Sequence, residues 1–254
     1  MTWILPRRTW FLLVLALLDG ARIGYSQDAV RGQHPGRFEA TVQRKVSFEY
    51  LLFLPSDYDA RASNRWPLIV FLHGAGERGT NVQQVAVHGP PKRVRTQPDF
   101  PFVVLSPQCP SDTHWDIPAL DGLLDSMLKS HAIDPKRVYL TGLSMGGYGT
   151  WAWSTARPER FAAIAPICGG GDPVGVWLAG GARRESLVRL PVWAFHGAKD
   201  GVVPLSASQQ MVDAYHRLSN NARLTVYPDA GHDSWTATYD NPALYEWFQQ
   251  QRLP

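Results

Sequence analysis

The stretch that most constrains the fold is residues 138–150, where an apolar, β-prone run enters Gly142-Leu-Ser144-Met-Gly146 and a helix-compatible segment leaves it. A strand–turn–helix junction of this kind forces the central serine into a strained backbone conformation. It lifts the hydroxyl out of the sheet and points neighbouring N–H groups at one place. Glycines two residues on either side leave room for so sharp a bend. The pattern favours a nucleophilic Ser144, while an ordinary helix N-cap is the alternative interpretation.

Strand-like and helix-like stretches alternate along most of the chain. Strands are predicted at residues 67–72, 102–105, 161–167, 191–195 and 223–227 and from residue 138 onward. Helices are predicted at about residues 81–87, 120–128, 145–156, 206–218 and 242–250. Other expectations are an antiparallel strand pair within 38–54, a helix stop at Pro90-Pro91, a turn at Asp134-Pro135 and a short helix with loops within 169–190. This alternation predicts one α/β domain, a mostly parallel twisted sheet with helices on both faces.

Composition and charge exclude several classes of protein. Hydrophobic residues make up 44% of the chain and charged residues 19%, which is typical of a soluble globular domain. The formal net charge is +3, and no basic stretch is long enough to follow a phosphate backbone, so no nucleic-acid partner is expected. Neither a strongly acidic nor a strongly basic substrate is implied.

The first 26 residues have the order of a secretory signal. Arg7 and Arg8 precede an apolar run at residues 10–18, and small residues follow up to Ser26. The run is too short to span a bilayer, so no stable membrane anchor is expected. We therefore predict a signal peptide at 1–26, a catalytic domain at 27–254 and a secreted or periplasmic protein. A signal anchor is the competing interpretation, because the region before Gln27 lacks a clean Ala-x-Ala site.

The chain has two cysteines, Cys109 and Cys168, each after an apolar strand-like run. In an exported protein they could form a disulfide, and they could equally be buried thiols near the top of the sheet. Both states stay open. No pair of histidines or cysteines stands at a metal-ligand spacing, so neither a metal nor another cofactor is predicted.

Two later elements complete a pattern with Ser144. Asp200 ends His196-Gly-Ala-Lys-Asp200 after one strand, and His232 lies in Ala-Gly-His232-Asp after the last strand. With the glycine-rich loop that begins at His73, this order of serine, acid and histidine resembles the α/β-hydrolase family from about residue 38 onward. The loops are similar to those of compact secreted carboxylesterases of the dienelactone hydrolase, polyhydroxybutyrate depolymerase, feruloyl esterase and peptidase-like types.

The resemblance implies a role for each part. Ser144 would attack a carbonyl carbon, His232 would accept and return the proton, and Asp200 would orient the imidazole. The oxyanion would be held by the backbone N–H of Met145 and by one from the loop after the strand at 67–72. That second donor is expected at one of two residues: Ala75 or Gly76.

Other residues compete for these roles or flank them. Three further acids could replace Asp200: Asp172, Asp229 and Asp233. Three histidines are interpreted as structural or pocket-lining: His73, His114 and His196. Glu77 and Arg78 are interpreted as residues that stabilise the loop, in preference to residues that contact the substrate. Trp115 and Trp235 are candidate substrate-binding residues, and the alternative is that they cover the edge of the core.

The substrate is predicted from segment length. About two dozen residues separate the strands that end near 167 and begin at 191, too few for a large helical cap. An open site suits short-chain or aryl esters, including esters carried on a polysaccharide. The alternatives are a secreted serine peptidase of the same fold and, less favoured, an inactive binding module with no catalysis. The oligomeric state is not predicted.

Overall fold

The computed structural model describes residue 33 and residues 35–61, 65–218 and 221–254. The predicted signal peptide at 1–26 lies outside these residues and stays a prediction. The chain divides into two units, residues 1–44 and 45–254. The described part of the first unit has no helix or strand, and the second is an α/β domain. No helix among the described residues is long and apolar enough to cross a membrane.

One sheet contains the seven strands of the described chain. They are β1 (Tyr50–Phe53), β2 (Trp66–Leu72), β3 (Val103–Pro107), β4 (Ile133–Leu143), β5 (Ala163–Ile167), β6 (Val192–Gly197) and β7 (Ala222–Tyr227). Their order is β1-β3-β2-β4-β5-β6-β7, with β1 antiparallel to β3 and every other neighbouring pair parallel. The loops that follow β2, β4, β5, β6 and β7 therefore share one edge of the sheet.

Eight α-helices connect the strands of the described chain. They are α1 (Gly89–Arg93), α2 (Ile117–Ser130), α3 (Met145–Ala156), α4 (Pro173–Trp177), α5 (Gly181–Arg189), α6 (Leu205–His216), α7 (Trp235–Asp240) and α8 (Pro242–Gln249). Short 3-10 helices lie at Ala75–Glu77, Val82–Val87 and Pro158–Arg160. Side-chain caps start several of these helices; Asp116, for example, accepts a hydrogen bond from Ala119 N (3.1 Å) at the start of α2.

Alternate residues of the central strands enter two apolar cores. On β2, Leu68, Val70 and Leu72 pack with residues of α2, α3 and α6, whereas Ile69 and Phe71 pack with residues of α7 and α8. Burial on both faces explains why this strand is a continuous apolar run without alternation. The predicted fold class, a mostly parallel sheet covered by helices on both faces, is confirmed.

The antiparallel strand pair predicted within residues 38–54 is wrong in its first half. Residues 35–49 contain no helix or strand, and only Tyr50–Phe53 forms β1. The partner of β1 is β3, from Tyr50 opposite Pro107 to Phe53 opposite Val104. An apolar-rich segment becomes a strand only when a neighbour pairs with its backbone, and among the described residues β3 does this for Tyr50–Phe53 alone.

The turn predicted at Asp134-Pro135 lies inside β4 as an irregularity in the pairing. Across this segment two residues of β2 correspond to five of β4. The Asp134 carboxylate accepts hydrogen bonds from Lys136 N (3.0 Å) and Arg137 Nε (2.9 Å), which fixes the bulge as a local Asx-type turn. The strand thus starts earlier than predicted and contains the turn.

The helix predicted at 81–87 is a 3-10 helix at Val82–Val87, which ends before Pro90 and Pro91 as predicted. What was not expected is that helical structure resumes there, because the two prolines occupy the first turn of α1, where a missing N–H costs nothing. Helix α7, directly after the His232 loop, was not predicted, since its six residues are too few for a helical period to be recognised. By contrast, α3 starts and ends where it was predicted.

The segment between β5 and β6 contains only the short helices α4 and α5. They have five and nine residues, so no large helical cap is present in this segment. The edge of the sheet that carries Ser144 is left accessible there, in agreement with the prediction from segment length.

Candidate active site

Ser144 occupies a sharp bend between β4 and α3. Its φ of 52° and ψ of −117° lie in a region that non-glycine residues rarely adopt, and the next residue, Met145, already begins the helix. Ser144 makes no side-chain capping bond to α3, so the N-cap alternative is not the geometry observed. A strained serine at the top of a central strand holds its hydroxyl away from the sheet.

The glycines around Ser144 are required by close backbone contacts. A Cβ added to Gly142 would collide with the carbonyl of Gly146, and one added to Gly146 would fall within the carbonyl of Leu72. A Cβ on Gly147 would collide with Ile167 O. Helix α3 can start this close to the sheet only because these positions have no side chain.

Three side chains from three strand ends form one hydrogen-bonded chain. His232 Nε2 lies 3.0 Å from Ser144 Oγ, and His232 Nδ1 lies 2.8 Å from Asp200 Oδ2. A carboxylate can only accept, so Nδ1 carries the ring proton and Nε2 is free to accept from the serine hydroxyl. The His232 side chain is 20% exposed, which leaves the Ser144 end of the chain open to a substrate.

The Asp200 side chain is fully buried and well bonded. Its Oδ1 accepts from Val202 N and Val203 N, both at 2.9 Å. Burial alone would raise the pKa of Asp200, but the hydrogen bonds from His232, Val203 and Val202 outweigh it and hold that pKa below its ordinary value. The group therefore stays a carboxylate beside the imidazole. None of the competing acids is hydrogen-bonded to His232.

His196 is a second partner of Asp200 that sequence reasoning placed only in a general structural role. Its fully buried ring has Nε2 3.0 Å from Val203 O and 3.2 Å from Asp200 Oδ2. Both neighbours are acceptors, so Nε2 carries a proton, which it donates to Val203 O beside the carboxylate. The only sequence signal for this contact was the position of His196 near the end of β6, four residues before Asp200.

The candidate oxyanion donors lie at two loop–helix junctions. Met145 is the first residue of α3, so its N–H has no acceptor within the helix. Ala75 and Gly76 form a 3-10 turn directly after β2, both exposed. This loop packs against the end of β4, since a Cβ on Gly74 would lie 2.8 Å from Leu143 Cδ1. The two segments that carry the candidate donors are therefore adjacent, and the donors themselves stay a prediction.

Arg78 ties the glycine-rich loop to its surroundings. Its guanidinium donates to Ala75 O (3.0 Å) and to Thr113 O (3.1 Å), which is the scaffold role predicted for it. Glu77 lies partly buried, with carboxylate oxygens 3.8 Å from His73 Nδ1 and 3.9 Å from His88 Nε2. The hydrogen bonds of Arg78 thereby tie the 3-10 turn to the segment at Thr113.

His73 is a structural histidine at the end of β2. Its Nε2 accepts from Cys109 N (2.9 Å), so Nδ1 carries the proton and donates to Gly74 O (2.6 Å). Burial, the largest influence, lowers the pKa of His73 to about 4 from its ordinary 6.5. A second proton on Nε2 would face the Cys109 N–H, so the fold selects the neutral ring.

The two candidate substrate-binding tryptophans lie in different surroundings. Trp115 is 6% exposed in the core and packs edge-to-face on His73 at 4.8 Å, which favours the core-covering interpretation. Trp235 lies edge-to-face on His232 at 5.3 Å and on His88 at 5.4 Å. The structure thus brings Trp235, and not Trp115, against the histidine of the hydrogen-bonded chain.

Both cysteines are buried free thiols, so no disulfide joins them in this structure. Cys168 has a φ of 41° and follows β5 directly beneath the Ser144 bend. Burial raises the pKa of Cys168 to about 12, although a hydrogen bond with the Ser144 backbone acts in the opposite direction. A thiol in this state is a packing group and not a second nucleophile. Among the described residues, no cluster of three or more His, Cys, Asp or Glu side chains could hold a metal ion.

Comparison with known proteins agrees with this geometry. Residues 100–241, more than half of the chain, match the model of the phospholipase/carboxylesterase family. The chain is 30% identical over 197 residues to a bifunctional acetylxylan esterase/xylanase of Neocallimastix patriciarum, covering 71% of this chain and 26% of that protein. It is 27% identical over 169 residues to poly(3-hydroxyalkanoate) depolymerase C of Paucimonas lemoignei, covering 62% of this chain and 37% of that protein.

A solved structure is also similar. A thermostable esterase superposes with a TM-score of 0.70 at 35% identity, covering 82% of this chain and 60% of that one. The chain spans well under half the length of each of the two curated relatives named above. The fold, the strand-end serine and the matched region lead to one conclusion: the chain belongs to the phospholipase/carboxylesterase family, within the α/β-hydrolases.

Proposed function

We propose that this protein is a serine carboxylic-ester hydrolase that works through an acyl-enzyme at Ser144. The observation that carries the proposal is the chain from Ser144 Oγ through His232 to buried Asp200, with contacts of 3.0 and 2.8 Å. An imidazole in this position can deprotonate a hydroxyl that is otherwise a poor nucleophile at neutral pH. The family relationship supports the same chemistry.

Acylation begins when Ser144 Oγ attacks the ester carbonyl carbon. The hydroxyl proton passes to His232 Nε2, and the carbonyl oxygen becomes an oxyanion. Asp200, kept ionised by its hydrogen bonds, stabilises the imidazolium. The imidazolium then returns the proton to the alcohol oxygen as the C–O bond breaks, which leaves an ester on Ser144 and releases the alcohol.

Deacylation repeats these steps with water. His232 removes a proton from the water that attacks the Ser144 ester, and it returns the proton to Ser144 Oγ as the acid leaves. In both tetrahedral intermediates the oxyanion accepts from Met145 N–H and from the loop at Ala75 or Gly76. Each preorganised donor of this kind contributes roughly 3 kcal/mol of transition-state stabilisation.

We expect short-chain or aryl esters as substrates, including esters carried on a polysaccharide. Only α4 and α5 lie between β5 and β6, so no cap in that segment encloses a long acyl chain. The relative from Neocallimastix patriciarum is named for acetylxylan esterase activity, which is hydrolysis of a short ester on a polymer. An open cleft accommodates the polymer beside the reacting bond.

The test is a panel of p-nitrophenyl esters from acetate to palmitate and of aminoacyl p-nitroanilides. It is run on the wild type, on Ser144→Ala and on Ser126→Ala, whose serine is exposed on α2. We expect acetate or butyrate to be cleaved fastest, Ser144→Ala to lose turnover, and Ser126→Ala to match the wild type.

Ester turnover that survives Ser144→Ala would contradict the mechanism. Faster cleavage of the anilides than of every ester would favour the peptidase alternative instead. A preference for palmitate over butyrate would overturn the short-chain assignment while leaving the catalytic groups in place.

A further inference from the structure

A cavity of about 410 Å³ opens beside the hydrogen-bonded chain of Ser144, His232 and Asp200, and none of these three residues lines it. Its walls come from the end of the 3-10 helix before α1, from α1 itself and from α7. The lining residues used below are His88, Lys92, Arg93, Arg95, Trp235 and Asp240. We call this space the α1–α7 cavity.

One aromatic ring separates the α1–α7 cavity from the catalytic histidine. Trp235 lines the cavity and also contacts the His232 ring edge-to-face at 5.3 Å. On its other side Trp235 contacts His88, a second wall residue, at 5.4 Å. The cavity therefore lies one side chain away from His232, the histidine of the proposed catalytic chain.

The cavity walls are rich in positive charge. Three of the lining residues are Lys or Arg, and Asp240 is the only acidic residue that lines the cavity. The Arg93 guanidinium already donates to Tyr239 O (3.3 Å) and lies 4.9 Å over the Tyr245 ring. Arg93 is thus held by contacts within the cavity wall. The positive charges available to a ligand are those of Lys92 and Arg95.

Lys92 and Arg95 have no acidic partner within the described part of the chain. Both side chains are exposed at the cavity. Some cations elsewhere in the described fold do have an acidic partner, as Lys199 has Asp229 at 2.7 Å and Arg160 has Asp125 at 2.5 Å. Two unpaired cations on one wall of a concave site attract and orient an anion.

We propose that the α1–α7 cavity binds a carboxylate of the ester substrate, with Lys92 and Arg95 as its partners and Trp235 as the apolar floor between that carboxylate and the reacting bond. The substrate class is then an acid-bearing ester, such as an ester on an acidic sugar or a half-ester of a dicarboxylic acid. This proposal rests on the proposed esterase function, and it adds charge selectivity to it.

The test compares matched pairs of esters that differ only in a carboxylate. On the acyl side the pair is p-nitrophenyl hydrogen succinate against p-nitrophenyl butyrate, and on the alcohol side it is 4-acetoxybenzoate against phenyl acetate. The quantity measured is the ratio of kcat/KM for the acidic ester to that for the neutral ester. The proteins are the wild type, Lys92→Gln/Arg95→Gln and the control Lys129→Gln/Arg184→Gln, which removes the same charge from exposed residues of α2 and α5.

In the wild type we expect the ratio to exceed one in at least one pair, and the pair that shows it identifies which half of the ester reaches the cavity. The Lys92→Gln/Arg95→Gln variant should lower that ratio about tenfold, mainly through KM, because two charge-assisted contacts are lost. The control should keep the wild-type ratio. Raising salt from 0.05 to 0.5 M should lower the wild-type ratio, since the Debye length that screens exposed charges shortens from roughly 14 Å to roughly 4 Å.

The proposal is overturned if no acidic ester is preferred, if the double variant keeps the wild-type ratio, or if the control lowers it equally. These results differ from failure of the proposed function itself. In that case neither the neutral nor the acidic esters would be hydrolysed, or hydrolysis would persist in Ser144→Ala.

Discussion

At the scale of single residues, the site depends on which atoms carry protons. Asp200 accepts from His232 Nδ1, so Nε2 faces Ser144 without a proton. The two backbone N–H groups on Asp200 Oδ1 hold the carboxylate ionised and correctly oriented. His196 Nε2, which donates to Val203 O, lies 3.2 Å from Oδ2 of the same carboxylate. The direction of proton transfer is thus set by buried acceptors at strand ends.

Replacement of Asp200 by Asn tests this proton arrangement. The amide NH2 that faces His232 Nδ1 would favour the other tautomer, which places a proton on Nε2 and prevents it from accepting from Ser144. We expect kcat on p-nitrophenyl butyrate to fall roughly 10³- to 10⁴-fold, with KM little changed.

Asp229→Asn is the matched control, since Asp229 is 90% exposed at its side chain and pairs with Lys199. It should keep the wild-type kcat, and circular dichroism should show both variants folded. If Asp229→Asn lost activity while Asp200→Asn kept it, the acid of the site would have been assigned to the wrong residue.

At this scale the sequence predicts which residues form the site better than it predicts which side chains pack against them. Ser144, Asp200 and His232 were identified by motif and by position after a strand, and the structure places them within hydrogen-bonding distance. The contact of His196 with Asp200, and that of Trp235 with His232, depend on side-chain packing that a motif does not encode. The overall charge of +3 likewise did not indicate that cations gather at one cavity.

At the scale of elements, the bend from β4 into α3 holds Ser144, the proposed nucleophile, in place. Gly146 lets the first turn of α3 lie against the carbonyl of Leu72 at the end of β2. The bend also carries the strained φ of Ser144. The packing of α3 on the sheet must offset the cost of such a conformation, which is of order 1–3 kcal/mol.

Gly146→Ala tests whether that close contact is required. The added methyl would overlap backbone atoms that cannot move independently of the sheet, so we expect the free energy of unfolding to fall by about 3 kcal/mol or more. Urea unfolding followed by circular dichroism measures the loss.

Gly122→Ala is the control, because Gly122 lies inside α2 with nothing within 4 Å of an added Cβ. It should raise the free energy of unfolding by roughly 0.5–1 kcal/mol, the difference in helix propensity between the two residues. Equal stability of Gly146→Ala and the wild type would show that the bend tolerates a side chain.

Elements were predictable where local pattern and tertiary pairing agree. The buried parallel strands follow from their continuous apolar runs, because both faces of the sheet are covered, and α2 follows from the helical spacing of its apolar residues. The first strand predicted within residues 38–54 does not form, because strand pairing in this region depends on β3, which lies more than 40 residues later in the chain. The six-residue helix α7 is too short to show a period, although it carries Trp235.

At the scale of the whole molecule, the parallel sheet brings together residues that are distant in sequence. Ser144 and His232 are 88 residues apart and lie at the ends of β4 and β7, with Asp200 after β6 between them in the chain. The same edge carries the loop after β2. Every catalytic group in the proposal therefore depends on one cooperative fold, and stability and activity should be lost together.

Acid should destabilise the fold partly through His73. Its pKa is lowered to about 4 in the folded protein, so between pH 6.5 and 4 the unfolded chain binds more protons and stability falls as the pH falls. The lowered pKa of Asp200 acts in the same direction at lower pH, because its stabilising share is lost once the carboxylate is protonated. The His73 share amounts to about 3 kcal/mol across this window.

The measurement is the free energy of unfolding in urea from pH 8 to pH 4 for the wild type and His73→Gln. We expect the variant to be less stable at pH 8, where it lacks the Nδ1 bond to Gly74 O, and to lose less stability on acidification. A slope reduced equally in His114→Gln, whose side chain is exposed, would contradict a special contribution of His73.

The most direct test of Ser144 as the nucleophile is covalent capture. The folded protein is treated with diethyl p-nitrophenyl phosphate, and the adduct is located by intact-mass and peptide mass spectrometry. We predict one diethylphosphoryl group on Ser144, stoichiometric release of p-nitrophenol and no adduct in Ser144→Ala. An adduct on a different residue, or continued ester hydrolysis by protein fully modified at Ser144, would contradict the assignment.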